Sequence, residues 1–166
     1  MKKWIFSMIL VLIIVLSACT EDTNKVETNE SEKVAADTDQ SGDTVTVLMN
    51  IQMEMIQTIR KHLEPVTSYE RSEGAGDLEA AVEASNRIAN ELRGIEIAES
   101  LDADLQNDMK DSIELLAIYF EERAAALSGG SDVEEMDAAL QSFHEKIGKT
   151  FETAGLHAPN FEKDLQ

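Results

Sequence analysis

Cysteine is almost absent from this chain of 166 residues: Cys19 stands alone. A lone thiol rules out an intramolecular disulfide and any zinc–thiolate cluster. Aromatic residues make up 5 % and there are 2 prolines. Basic residues are scarce too, 14 against 33 acids, for a formal net charge of −19. Such a balance argues against nucleic acid as a partner, because phosphate neutralisation by Lys and Arg supplies most of that affinity. It equally disfavours a basic patch pressed onto anionic lipid.

Only one long apolar run is present. Lys2 and Lys3 precede Trp4–Leu16, an unbroken stretch holding a single serine, and small residues lead from there to Cys19. At 1.5 Å per residue the run gives roughly 20 Å of helix, whereas a bilayer core calls for about 20 residues. A basic start followed by a short apolar segment is the pattern of a secretory signal peptide. Leu16-Ser17-Ala18-Cys19 resembles the lipobox of bacterial lipoproteins at all of its positions. The resemblance covers the leader alone and implies three things. Residues 1–18 are removed, the Cys19 sulfur carries diacylglycerol, and the mature chain is anchored by acyl chains (palmitate and its kin) on the extracytoplasmic face of the cell membrane. The physics agrees, since each buried methylene contributes about 0.8 kcal/mol and two chains hold where one is marginal. Removing residues 1–18 takes away two lysines and no acid, leaving 12 basic residues against 33 acids, or −21. With Cys19 acylated, no thiol nucleophile remains.

Residues 19–44 read as a lipidated cysteine and a disordered acidic linker, with almost nothing to bury against the entropy of ordering. From Val45 the apolar residues recur at helical spacing. Val45, Leu48, Met49, Met55, Ile56, Ile59, Leu63 and Val66 form a first stripe, with Pro65 kinking its last turn. Tyr69–Gly76 reads as a connection. A second helix starts at Asp77, a third is capped by Asp102 and stopped by Gly129-Gly130, and a fourth opens with a Ser131–Glu134 capping box. No strand pattern competes. The expected fold is all-α: a four-helix up-down-up-down antiparallel bundle over 45–155, followed by a loose tail, 156–166, able to dock through Leu156 or Phe161.

Residues that interrupt the stripes carry the candidate chemistry. Gln52, Ser85 and Ser112 sit on the apolar faces of the first three helices, and His144 lies about 40° off the centre of the fourth. In an antiparallel bundle they stand at roughly 10, 13, 15 and 12 Å from the tether end, so one polar layer is expected. It is read as a hydrogen-bonded register device, as small serines without mutual contact, or as a ligand or metal site. Arg123 falls inside the third stripe and Asp137 on the edge of the fourth; an inward pair competes with an arginine that snorkels to solvent. Ile118 points away from its stripe and marks a possible partner surface.

Searches for catalytic or metal motifs return nothing: Glu-x-x-His, HExxH, GxSxG, the P-loop and the EF-hand loop are all missing. Four-helix cytochromes that bind haem non-covalently use a first-helix Met and a last-helix His. Met49 or Met53 with His144 would be the counterparts here, but they lie at different depths and no further motif matches. Met49, Met53 and Met55 also have thioethers suited to Cu(I), with core packing as the plainer explanation. The reading is therefore a non-catalytic binding or scaffolding module of the cell envelope, without catalytic residues, cofactor or metal. It meets the membrane through Cys19 and an envelope or extracellular protein through its helical domain. The alternative is a small-ligand, haem or metal carrier built on the layer around His144.

Overall fold

The computed structural model describes residues 37–165; the leader, Cys19 and most of the linker lie outside them. The described residues are all-helical, with five helices and no strand. α1 spans Asp37–His62, α2 Glu64–Arg71, α3 Leu78–Arg93, α4 Ala103–Leu127 and α5 Val133–Thr153.

α1 begins at Asp37, ahead of the expected Val45, so residues 37–44 of the expected linker are helical. The expected single first segment is two helices. Pro65 has no amide proton to donate to Lys61, and its ring crowds that carbonyl. A new helix therefore starts after Leu63 and places Pro65 in its first turn, where the missing donor costs nothing. Glu73 and Gly74, at φ 54° and 84°, then turn the chain.

The next two starts follow from aspartate caps. Asp77 accepts from the Ala80 amide at 3.0 Å and Asp102 from the Leu105 amide at 2.9 Å, each satisfying an orphan donor of a first turn. α4 stops where expected. Gly129 adopts φ 72°, and the amides of Gly130 and Gly129 close onto the carbonyls of Ala125 and Ala126, a Schellman stop. The start of α5 departs from expectation. Asp132 is the N-cap and makes no side-chain cap bond. Ser131 precedes that N-cap, and its Oγ lies 2.7 Å from the carboxylates of both Glu122 and Glu135, so it links α4 to the start of α5 instead of forming a capping box with Glu134.

α4 is the central element, packed against α3 on one side and α5 on the other, while α1 and α2 pack on α3. Small residues are buried on both α3 and α4, Ala81, Ala84, Ser85 and Ala89 on the first and Ala117 and Ala124 on the second. Leu48, Ile51, Met55 and Ile59 of α1 join one core with Leu116, Phe120, Phe143 and Ile147.

The expected loose tail is docked. After Gly155 the chain turns back along α5, and Ala158 Cβ lies 3.5 Å from where a Cβ on Gly148 would stand. Phe161 is wholly buried and meets the Phe143 ring edge-on, centroids 5.1 Å apart at 76°. Leu165 and Asp164 are buried as well, while Leu156 is half-buried.

Candidate functional site

Among the described residues no hydrogen bond joins any two of the four residues expected in one polar layer. Ser85 Oγ is fully buried and donates to the Phe120 carbonyl at 2.8 Å, fastening α3 to α4. Ser112 Oγ donates to its own helix at Asp108 O, 2.7 Å, and lies 3.5 Å from Thr150 Oγ1 of α5. Gln52 and His144 are half-buried. Phase explains the outcome. The buried line of α1 runs through Leu48, Ile51, Met55 and Ile59, which at 100° per residue puts Gln52 about 50° to one side. The same rotation leaves Met49 and Met53 exposed, at 46 % and 52 %. His144 forms a wall of a shallow open groove of about 550 Å³ with Asp137, Leu140, Gln141, Glu145 and Glu162. Ile118 is half-buried.

The polar centre of the domain lies elsewhere, around Arg123. This side chain is buried at 4 % exposure, so it neither snorkels nor pairs with Asp137. Its Nε and Nη2 donate to the two oxygens of Glu70 on α2, at 2.9 and 2.6 Å, a bidentate geometry suited to guanidinium. Nη1 donates to the Leu165 carbonyl at 2.8 Å and to the Tyr119 hydroxyl at 3.3 Å. Burial works against the charge of Arg123, but the hydrogen bonds and charges of Glu70 and Tyr119 together outweigh it and its pKa is raised. Burial likewise pushes the Tyr119 hydroxyl up. One arginine thus gathers α4, α2 and the segment after α5. Arg60 of α1 adds a second hold on that segment, with Nε and Nη2 at 2.7 and 2.6 Å from Asp164 Oδ1.

Residues 156–165 therefore form a strap seated on α1, α4 and α5. Its attachment is through side chains. Apart from Leu156, which closes the end of α5, its only backbone–backbone hydrogen bond among the described residues is internal, Asp164 N to Phe161 O. Burying Phe161 and Leu165 contributes roughly 1.5–3 kcal/mol each. Ordering the segment costs conformational entropy, and the hydrogen bonds from Arg60 and Arg123 add to what Phe161 and Leu165 set against it.

Sequence reasoning found Arg123 on its stripe but missed both partners. Glu70 lay in a stretch read as a connection, and Leu165 in one read as tail. The available signal was Gly148, a glycine inside a helix that permits close approach. Elsewhere, ion pairs tie neighbouring helices, Arg93 to Glu114 and Glu121, Lys146 to Asp108 and Asp111, and Lys61 to Glu91, and His62 Nε2 lies 2.9 Å from the other oxygen of Glu91. Among the described residues no cluster of three His, Cys, Asp or Glu is placed to hold a metal, and no helix is long and apolar enough to cross a membrane. No protein-family model, curated protein or solved structure matches the chain.

Proposed function

We propose that this chain is a lipid-anchored lipoprotein on the extracytoplasmic face of a bacterial cell membrane, presenting a helical domain as a non-catalytic binding or scaffolding module of the envelope. The single observation that carries the anchor is Leu16-Ser17-Ala18-Cys19 behind two lysines and an apolar run too short to span a bilayer. Cys19 is the lipidated residue, and residues 20–36 serve as an acidic spacer that clears the headgroups. The domain is read as an up-down-up-down bundle with α1 and α2 sharing its first leg. Two links favour that reading. Ser85 with Phe120 and Arg93 with Glu114 pair rising numbers on α3 with falling numbers on α4. Ser131 with Glu122 and Thr150 with Ser112 do the same for α4 and α5.

The test is intact mass and detergent partitioning of the full chain expressed in a bacterium. The expected product starts at Cys19, weighs more than its amino acids by the acyl groups, and enters the detergent phase. Cys19→Ala should leave an uncut precursor. A wild-type product that starts at Met1 with the bare polypeptide mass overturns the proposal.

A further inference from the structure

The strap presents a pattern that its seat reads in chemical terms. An aromatic ring is buried against Phe143. Three residues on, a carboxylate meets Arg60, and in the next residue a buried aliphatic offers its main-chain carbonyl to Arg123. Two apolar anchors at fixed spacing, one acid read by an arginine and one carbonyl read by another, are the elements of groove recognition of an extended peptide. Charge sharpens the point. In a chain of −19, two of only 14 basic residues converge on this one segment. The seat is not confined to the strap, because the open groove beside His144 has strap residue Glu162 in its wall.

We propose that the strap seat formed by α1, α4 and α5 is a peptide-docking site. Its resident occupant is the chain's own segment 156–165, and its partner is a protein segment carrying an aromatic residue, an acid three positions later and an aliphatic residue next. The partner displaces the strap and takes over Arg60 and Arg123. This rests on the reading of the domain as a binding module and gives that reading its ligand class. Since the seat is filled in the resting protein, partner affinity is reduced by the fraction of time the strap is down. Weakening the strap raises it.

The experiment uses the full chain and a fluorescent synthetic peptide of residues 156–165 carrying Lys163→Gln. Lys163 of the chain is exposed, so trypsin cleavage after it reports strap release. The expected result is saturable binding by anisotropy, with cleavage at Lys163 rising about tenfold at saturation while cleavage after exposed Arg87 is unchanged. A peptide carrying Phe161→Ala and Asp164→Asn should do neither. Chain variant Phe161→Ala should bind the first peptide about tenfold tighter than wild type, and adding Arg60→Glu should abolish the gain. Should Phe161→Ala fail to fold, Asp164→Asn, which keeps both apolar anchors, replaces it. Equal effects of the two peptides, or cleavage at Lys163 that never responds, overturn the proposal. So does protection of Lys163 that grows with protein concentration alongside dimer formation, which would make a second copy the occupant. The mass of the same preparation reports on the anchor separately, so failure here and failure of the lipoprotein reading are distinguishable.

Discussion

The α3–α4 interface and the strap seat hold the same core by different means. Between α3 and α4, alanines and Ser85 let two backbones approach closely enough for a side-chain hydroxyl to reach the Phe120 carbonyl. At the seat, a segment without regular structure is held by Phe161, Leu165 and two arginines. Close helix packing spreads its energy over many small contacts and leaves no part free to leave alone. A strap fixed at a few points can let go while the helices persist, as local opening generally does where backbone bonding to neighbours is sparse. The difference separates the fixed part of the molecule from the exchangeable part.

Two phenylalanines in edge-on contact test that separation most strongly. Phe143 belongs to α5 and Phe161 to the strap, and both are wholly buried. Phe143→Ala should cost about 3–5 kcal/mol in urea unfolding, the usual range for a core aromatic. Phe161→Ala should cost less, about 1–2 kcal/mol, because the loss is capped by the free energy of seating the strap. Its denaturant slope should fall, since less surface remains to be exposed on unfolding. Equal losses would mean that the strap is part of the fixed core. Between them lies Arg123→Met, expected at about 2–4 kcal/mol. It strands the buried Leu165 carbonyl and Tyr119 hydroxyl, although Glu70, at 39 % side-chain exposure, can recover water. Rapid trypsin cleavage after Lys163 in this variant, in a domain still helical by circular dichroism, would place the loss at the strap.

The fixed part was largely legible from sequence and the exchangeable part was not, for physical reasons. Asp77, Asp102, Pro65 and Gly129 act within a turn of themselves, so their roles as caps, breaker and stop are local and readable. The face of α1 was misjudged because its apolar residues wrap most of the way round the helix. Tertiary neighbours chose Ile51 over Met49 and Gln52. Arg123 could be seen on its stripe, yet its partners Glu70 and Leu165 are 53 and 42 residues away. Ser131 and Glu134 had the residue types of a capping box, but α5 starts one residue later, with Asp132 as N-cap, and Ser131 hydrogen-bonds Glu122 and Glu135 instead. Cys19 and the lipobox belong to a part of the chain outside the described residues.

Gly148 offers a finer discrimination. A methyl group there would meet Ala158 Cβ at 3.5 Å, an ordinary contact. Gly148→Ala should therefore keep the strap down and gain up to about 1 kcal/mol from helix propensity. Gly148→Leu has no room beneath Ala158. It should free the strap and speed Lys163 cleavage while α5 stays helical. Slow cleavage in the leucine variant would show that the strap does not depend on this close approach.

The smallest effect belongs to the fixed side and is electrostatic. Arg93 hydrogen-bonds Glu114 and Glu121 across the α3–α4 pair, and these bonds hold both carboxyls below their ordinary value of 4.5. A carboxyl whose folded pKa is depressed gives stability that is fully present above its unfolded value and is lost as pH falls through its folded one. Acid therefore removes this contribution only below pH 4.5. The groups are substantially exposed, with side chains at 50 % and 43 %, so solvent screening limits the total to under about 1 kcal/mol. Arg93→Gln should lower stability at neutral pH by that amount and flatten the part of the stability–pH curve just below 4.5. Lys163 cleavage should not change, because the strap touches neither glutamate. A variant that instead frees the strap would mean that the two regions are coupled, and that partner binding at the seat is felt across α4.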